Sequence, residues 1–406
     1  MQRTKALLFS VAVALLLPSC AARRPSAPAG EPELATRAML LMLADRREFQ
    51  RLPLETAIGG SPGLREELAT ALGRIGDPRG RELLEGLLRD PVAPVRRAAA
   101  FSLGLLEEGR SVSALLVAVT DPDPETGMLA VEALGKLGTP LAGLLPRLAA
   151  LAEPERSHRL LPSLFRFREE AAVGVAREGL ARPEAELRRA AAYALARFPR
   201  PEGATDLRRL LSDPDPALRA LAARGLWEVG GPEDLASLLP LAGERAAGVA
   251  IQAMRAAARL RAAGGGQEAG WAERLVERAG DELPGVRITA LEAAGAFLPD
   301  PGLERLLAAR WRESESLRER EVALLAFAIG GSAEARQGAL GAAREAEPAL
   351  RAAAAGALGR LGDQPALAEL ARDREPRVRV AVLEARLAAD AEPLPAAAAA
   401  LSDPDP

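Results

Sequence analysis

One short pattern recurs along the chain at nearly constant intervals, and it restricts the possible fold more than any other feature. Each copy runs from an aliphatic anchor through an arginine and a run of alanines to a leucine eight places after the anchor, often followed by glycine. Leu64-Arg65 with Leu72-Gly73, Val95-Arg96 with Leu103-Gly104 and Leu350-Arg351 with Leu358-Gly359 are the clearest copies. Aligning the rest on these puts anchors at Leu64, Val95, Thr126, Ser157, Leu187, Leu218, Ala246, Val286, Leu317, Leu350 and Val378, with steps of 28 to 40 residues and most of 30 or 31. A unit of that length cannot bury an apolar face alone. Stacked on its neighbours it builds a continuous core.

Each unit has room for two helices of about three turns. Nearly half the residues are apolar but only 3% are aromatic, so the core is built from Ala, Leu and Val; Ala and Leu favour helix. In the unit anchored at Val95, the residues Val95, Ala99, Ala100 and Leu103 make one apolar stripe of the second helix, while Arg97 and Phe101 lie off it. Residues 207–211 and 235–239 typify the first helix. Asp-Pro pairs at 77–78, 90–91, 121–124 and 213–216 suit helix starts, with Asp as a cap and Pro in the first turn. Glycine after the leucine suits helix ends and close crossings.

The run Asp-Pro-x-x-x-(Leu/Val)-Arg followed by Ala-x-Ala-Leu-Gly resembles the short bacterial HEAT-repeat family, over residues 61–406. The resemblance implies an all-α, right-handed α-solenoid of about eleven stacked hairpins. It also implies a ladder of acidic residues and arginines joining successive repeats; the acid stands six places before the arginine in Asp90/Arg96, Asp213/Arg219, Asp281/Arg287, Glu345/Arg351 and Asp373/Arg379. Gly127 breaks that rule in the third repeat. The fourth has Ser157-His158 and Pro162 against the template, the forty-residue step holds Gly264-Gly265-Gly266, and residues 402–406 repeat the turn at 212–216.

The N-terminus reads as an export signal. Arg3 and Lys5 precede a small and apolar run at 6–17, too short to span a bilayer. Leu17-Pro18-Ser19-Cys20 resembles a lipobox, which implies lipidation of Cys20, the sole cysteine; a cut after Ala21 would instead discard it. The expected organisation is a signal peptide at 1–19, a Pro/Ala-rich tether at 20–33, an N-terminal capping helix region at 34–60 and the solenoid at 61–406. The tether would reach at most about 40 Å. In the capping helix Leu34, Ala38, Leu41 and Met42 fall at helical spacing. Neither residue after Cys20 is Asp, which by resemblance to bacterial sorting rules implies a lipid anchor in the outer membrane, facing the periplasm.

Chemistry finds little material. The net charge is −3, without the basic excess of a nucleic-acid binder, and lysine occurs only at Lys5 and Lys136. His158 is the sole histidine and stands where other repeats have Arg, so a triad could use no other. No metal site, cofactor site or small-molecule substrate is expected: Asp121-x-Asp123-x-Glu125 lacks a calcium loop's downstream Glu, and the triple glycine lacks a phosphate-loop frame.

Surface for binding remains. Residues two and six places after an anchor share one helix face. Phe101 and Tyr193 stand out there because Arg97 and Arg189 precede them by four. The expected protein-binding patch is Arg97, Phe101, Arg159, Arg189 and Tyr193, taking an extended acidic or aromatic partner segment; the other reading tucks these aromatics into gaps between repeats. Trp227, Trp271 and Trp311 read as packing residues. The expected function is a non-catalytic scaffold in the cell envelope that binds partner proteins. The alternatives are a HEAT-like enzyme of lyase or glycosylase type, or a structural subunit of an envelope complex.

Overall fold

The computed structural model describes residues 31–264 and 269–389. The signal segment, Cys20, most of the tether, Gly265, Gly266 and residues 390–406 lie outside the described residues. Every regular element among the described residues is an α-helix or a short 3₁₀ turn, so the all-α expectation holds.

Two compact units divide at Ala118/Val119. The first holds α1 (Glu31–Arg46), α2 (Arg51–Ile58), α3 (Pro62–Ile75), α4 (Arg81–Leu87), α5 (Ala93–Leu106) and α6 (Val112–Ala118). The second begins with α7 (Pro124–Lys136), α8 (Leu141–Leu148), α9 (Glu155–Leu160), α10 (Ala171–Leu180), α11 (Ala185–Arg197) and α12 (Ala204–Leu210). It continues with α13 (Pro216–Val229), α14 (Leu235–Ala242), α15 (Ala247–Ala262), α16 (Trp271–Arg278), α17 (Pro284–Ala294) and α18 (Pro301–Glu313). Its last five are α19 (Leu317–Phe327), α20 (Ala333–Ala342), α21 (Pro348–Arg360), α22 (Gln364–Leu370) and α23 (Pro376–Ala389). Within each unit, second helices of successive hairpins pack side by side: α3 on α5, and α13 on α15, α15 on α17, α21 on α23.

The local chemistry sets the hairpin ends. Ser61, Asp123 and Asp215 cap α3, α7 and α13, each accepting from a backbone N–H of the first turn, with Pro next in sequence; one such cap contributes about 1 kcal/mol. The anchor is the third residue of every second helix, and it is always buried: Leu64, Val95, Thr126, Ser157, Leu187, Leu218, Val249, Val286, Glu319, Leu350 and Val378. Two anchors therefore differ from the expected ones. Val249 takes the slot assigned to Ala246, and the buried carboxylate of Glu319 takes the slot assigned to Leu317, which is 37% exposed. The template failed at Val249 because Ala250 follows it where Arg was sought, and at Glu319 because a buried acid was not sought at all.

Glycine nine places after the anchor serves close approach rather than helix ending. A Cβ on Gly73 would lie 2.7 Å from Ser102 Cβ, and α3 runs on to Ile75 before Gly76 ends it at φ 71°.

The helix expected to start at residue 34 starts at Glu31. Leu40, Leu43 and Ala44 are its buried face, whereas Leu34 and Leu41 are 67% and 64% exposed. This helix is apolar on more than one side, so spacing alone picked the outer stripe. Trp271 is buried and stacks on Phe297 at 5.4 Å, and Trp311 is also buried, as packing residues should be. Trp227 differs, at 37% exposed.

Candidate protein-binding surface

The ion-pair ladder decides which arginines are available for anything else. Six of the arginines that follow an anchor turn back on their own turn: Arg96, Arg188, Arg219, Arg287, Arg351 and Arg379 each donate through Nη1 to the carbonyls five and six residues earlier. The rest of the guanidinium reaches the next repeat. Arg65 meets Asp90 at 2.6 and 3.1 Å, Arg219 meets Glu244 at 2.9 and 2.7 Å, and Arg351 meets Asp373 at 2.7 and 2.9 Å. Asp90 thus offers Arg96 of its own repeat its carbonyl and gives its carboxylate to Arg65 of the preceding repeat, which joins the two repeats as the ladder requires. The Arg65 guanidinium and the Val92 N–H, working against burial, hold the Asp90 carboxyl below its ordinary value. Removing one partner of such a partly buried fork pair would leave the other charge uncompensated.

Two of the departures from the ladder are repaired locally. Gly127 stands where an arginine belongs, and Arg159 from α9 supplies the guanidinium instead. It donates to the Val119 carbonyl at 2.5 Å, to the Asp121 carbonyl at 3.0 Å and to Glu155 at 2.5 Å. The Asp121 carbonyl is the one six residues before Gly127, the same carbonyl that a regular arginine would take. In α19 the position five before the anchor is Ser314 rather than an acid, and the anchor Glu319 provides the charge: it accepts from Arg287 at 2.7 Å, from Arg310 and from Ser314 at 3.0 Å.

Arg159 is therefore removed from the expected patch, because its side chain is 2% exposed and both its terminal nitrogens are engaged inside the array. The other four residues divide between the two units. In α5, Arg97 is half-buried and Phe101 is 43% exposed. In α11, Arg189 is exposed and its Nε donates to Asp215 at 2.7 Å, so its charge is engaged by the cap of α13. Tyr193 is half-buried and meets Phe165 edge-on, with centroids 5.2 Å apart.

The register at Val249 brings forward residues the sequence template hid. Six places after that anchor stands Arg255, not Gln252, and ten places after it Arg259; both are exposed. On α13 the exposed Arg224 holds the same place, six after Leu218, and Trp227, 37% exposed, stands nine after that anchor.

The residues that the sequence offered for chemistry are not brought together among the described residues. His158 is exposed on α9. Asp121 and Asp123 turn their carboxylates onto their own turn, accepting from the backbone N–H groups of Asp123 and Thr126 at 2.8 and 2.9 Å. Among the described residues no group of three His, Cys, Asp or Glu side chains could hold a metal. A cleft of about 410 Å³ between α1 and α3 has Leu40, Leu41, Ala44 and Ala71 within it; on its rim Arg37 pairs with Glu67 at 3.0 Å.

Residues 81–160 and 175–259 match a family model described as HEAT repeats, and residues 64–90 match one described as PBS lyase HEAT-like repeat. The chain carries HEAT repeats. Among solved structures, importin beta is similar with a TM-score of 0.61 at 14% identity, over 87% of this chain and 56% of that one. An engineered protein aligns over 75% of this chain and 98% of its own, at 18% identity and a TM-score of 0.47. The chain thus spans little more than half the length of importin beta, and at such identity the likeness is one of fold, an α-solenoid of HEAT hairpins. No curated protein matches the sequence.

Proposed function

We propose that this protein is a non-catalytic scaffold, tethered in the cell envelope, whose HEAT hairpins offer partner proteins the exposed stripe of their second helices. One observation carries the reading: the ladder consumes its arginines internally, yet Phe101, Tyr193 and neighbouring cations stay on the outward stripe. A stack of hairpins held in register is a rigid platform, and aromatic and arginine side chains dominate interface energetics. The export reading is supported by the apolar run at 6–17 and the placement of Cys20 after it.

Affinity capture from detergent-solubilised envelopes tests the scaffold. One envelope protein should co-purify stoichiometrically with the wild type and be lost from Arg97→Glu/Tyr193→Ala, with helicity unchanged; a wild type that comes out alone contradicts the reading. The tether has its own test: Cys20→Ser should move the protein from the membrane to the soluble fraction, and an unchanged distribution would contradict lipidation.

A further inference from the structure

Three adjacent second helices of the second unit, α11, α13 and α15, share cations that the ladder leaves unused. Counted from the buried anchors Leu187, Leu218 and Val249, the residues Tyr193, Arg224 and Arg255 occupy the same place, six residues on. Ten residues on stand Arg197, Glu228 and Arg259, and Trp227 lies beside Glu228. The helices pack α11 on α13 and α13 on α15, so equivalent side chains repeat at about 8–10 Å. Arg224, Arg255 and Arg259 are exposed, and among the described residues none of their side chains makes an ion pair or hydrogen bond. By contrast Arg189, Arg208 and Arg219, close by in the sequence, are all paired. The Arg197 guanidinium lies 5.0 Å from the Phe198 ring centroid. The neighbouring surface of α13 and α15 is mostly apolar, with Ala220, Leu221, Ile251 and Gln252 half-buried in it.

We propose that this row is a docking site for an extended, acidic segment of a partner protein that carries an aromatic or large apolar side chain. Carboxylates of the segment pair with Arg224, Arg255 and Arg259, and its apolar residue lies against Trp227 and Tyr193. The spacing sets the motif. In an extended polyproline-II segment, with three residues per turn and about 3.1 Å per residue, side chains three apart share one face about 9 Å apart, so an 8–10 Å repeat corresponds to an acid at every third position. A protein segment fits better than a phosphate polymer because Glu228 stands between Arg197 and Arg259. A uniformly charged polyanion meets repulsion there, whereas a peptide can place an uncharged residue opposite it. The proposal deepens the scaffold reading by naming the chemistry of the partner.

Fluorescence anisotropy on the full chain tests it, with three labelled probes: a peptide with Glu at every third position and one Trp, the same peptide with Lys for Glu, and single-stranded oligothymidylate. The acidic peptide should bind the wild type at least about ten-fold more tightly than the Lys peptide. Arg224→Glu/Arg255→Glu should weaken it at least about ten-fold, and Trp227→Ala about three-fold or more. Arg305→Glu/Arg344→Glu changes the charge equally on other elements and should shift binding less than about two-fold; both residues are exposed. Equal loss in that control overturns the site. So does equal binding of the two peptides, or oligothymidylate binding that matches the acidic peptide and depends on Arg224 and Arg255. The outcomes separate from those of the envelope capture: a captured partner with no peptide binding moves the interface elsewhere and overturns this site, and peptide binding with no captured partner supports the site and removes only the envelope assignment.

Discussion

The guanidinium of Arg159 occupies the place of the arginine that the third repeat lacks at Gly127. A Cβ on Gly127 would clash with Arg159 Nη1 and come within 2.7 Å of the Val119 carbonyl oxygen. Glycine at one position and arginine at the other are thus two halves of one arrangement, thirty-two residues apart in sequence. The repeat keeps its turn geometry because the Asp121 carbonyl, which a regular arginine would take, is satisfied from a different helix.

That relationship predicts a specific non-additivity. Arg159→Ala strands two buried carbonyls and should cost about 2–4 kcal/mol. Gly127→Arg alone should also destabilise, by steric conflict. Combined, the new arginine can take the Asp121 carbonyl as Arg219 takes that of Asp213, so the double variant should regain at least about 1 kcal/mol over the sum of the singles. Urea unfolding of the four proteins checks this; strictly additive losses would falsify the replacement.

Stability should fall in acid, through the ladder. The Asp373 carboxyl is held below its ordinary 3.8 chiefly by its hydrogen bond from Arg351. For Glu319 burial pushes upward, but the hydrogen bonds from Arg287 and Ser314 outweigh it, and the net direction is below 4.5. Groups with depressed folded values contribute stability that is complete above their ordinary values and disappears as pH falls toward the folded ones. The melting temperature should therefore be flat above about pH 5 and decline below about pH 4. Glu319→Gln should melt lower at pH 7 and show a shallower acid decline; an acid decline as steep as the wild type's would remove Glu319 from the cause.

Core and surface positions of α5 should separate stability from binding. Leu103 is 0% exposed, so Leu103→Ala should cost about 2–5 kcal/mol by leaving a cavity. Phe101 is 43% exposed, and Phe101→Ala should cost less than about 1 kcal/mol. If Phe101 belongs to a partner surface, its variant should lose captured protein while melting near the wild type. The reverse ordering in urea or heat would mean the helix face is misassigned.

Much of the fold was legible because burial repeats. Nine of the eleven anchors followed from the repeat spacing, seven of them on an aliphatic residue followed by arginine. The misses share a cause: a pattern records which residue types are usual at a place, not what else can fill it. Glu319 sits buried in an aliphatic slot because Arg287 and Arg310 neutralise it, and nothing in an apolar template reports that. Arg159 looked like a surface arginine because the hole it fills is made by a glycine in a different repeat. The three-residue error at Val249 displaced the count, which hid Arg255 and left Gln252 in its place. Leu34 and Leu41 show the limit of spacing where a helix is apolar on two sides.

The most direct test of the protein-binding account is site-directed photo-cross-linking in intact envelopes. A photoreactive residue at Trp227 or Gln252, on the α13 and α15 faces, should give one discrete adduct whose cross-linked segment is acidic. The same residue at Val276, an exposed position on the first helix α16, should give none. Adducts of equal yield from all three positions, or none from Trp227 and Gln252, would contradict the claim that the second helices present the binding face.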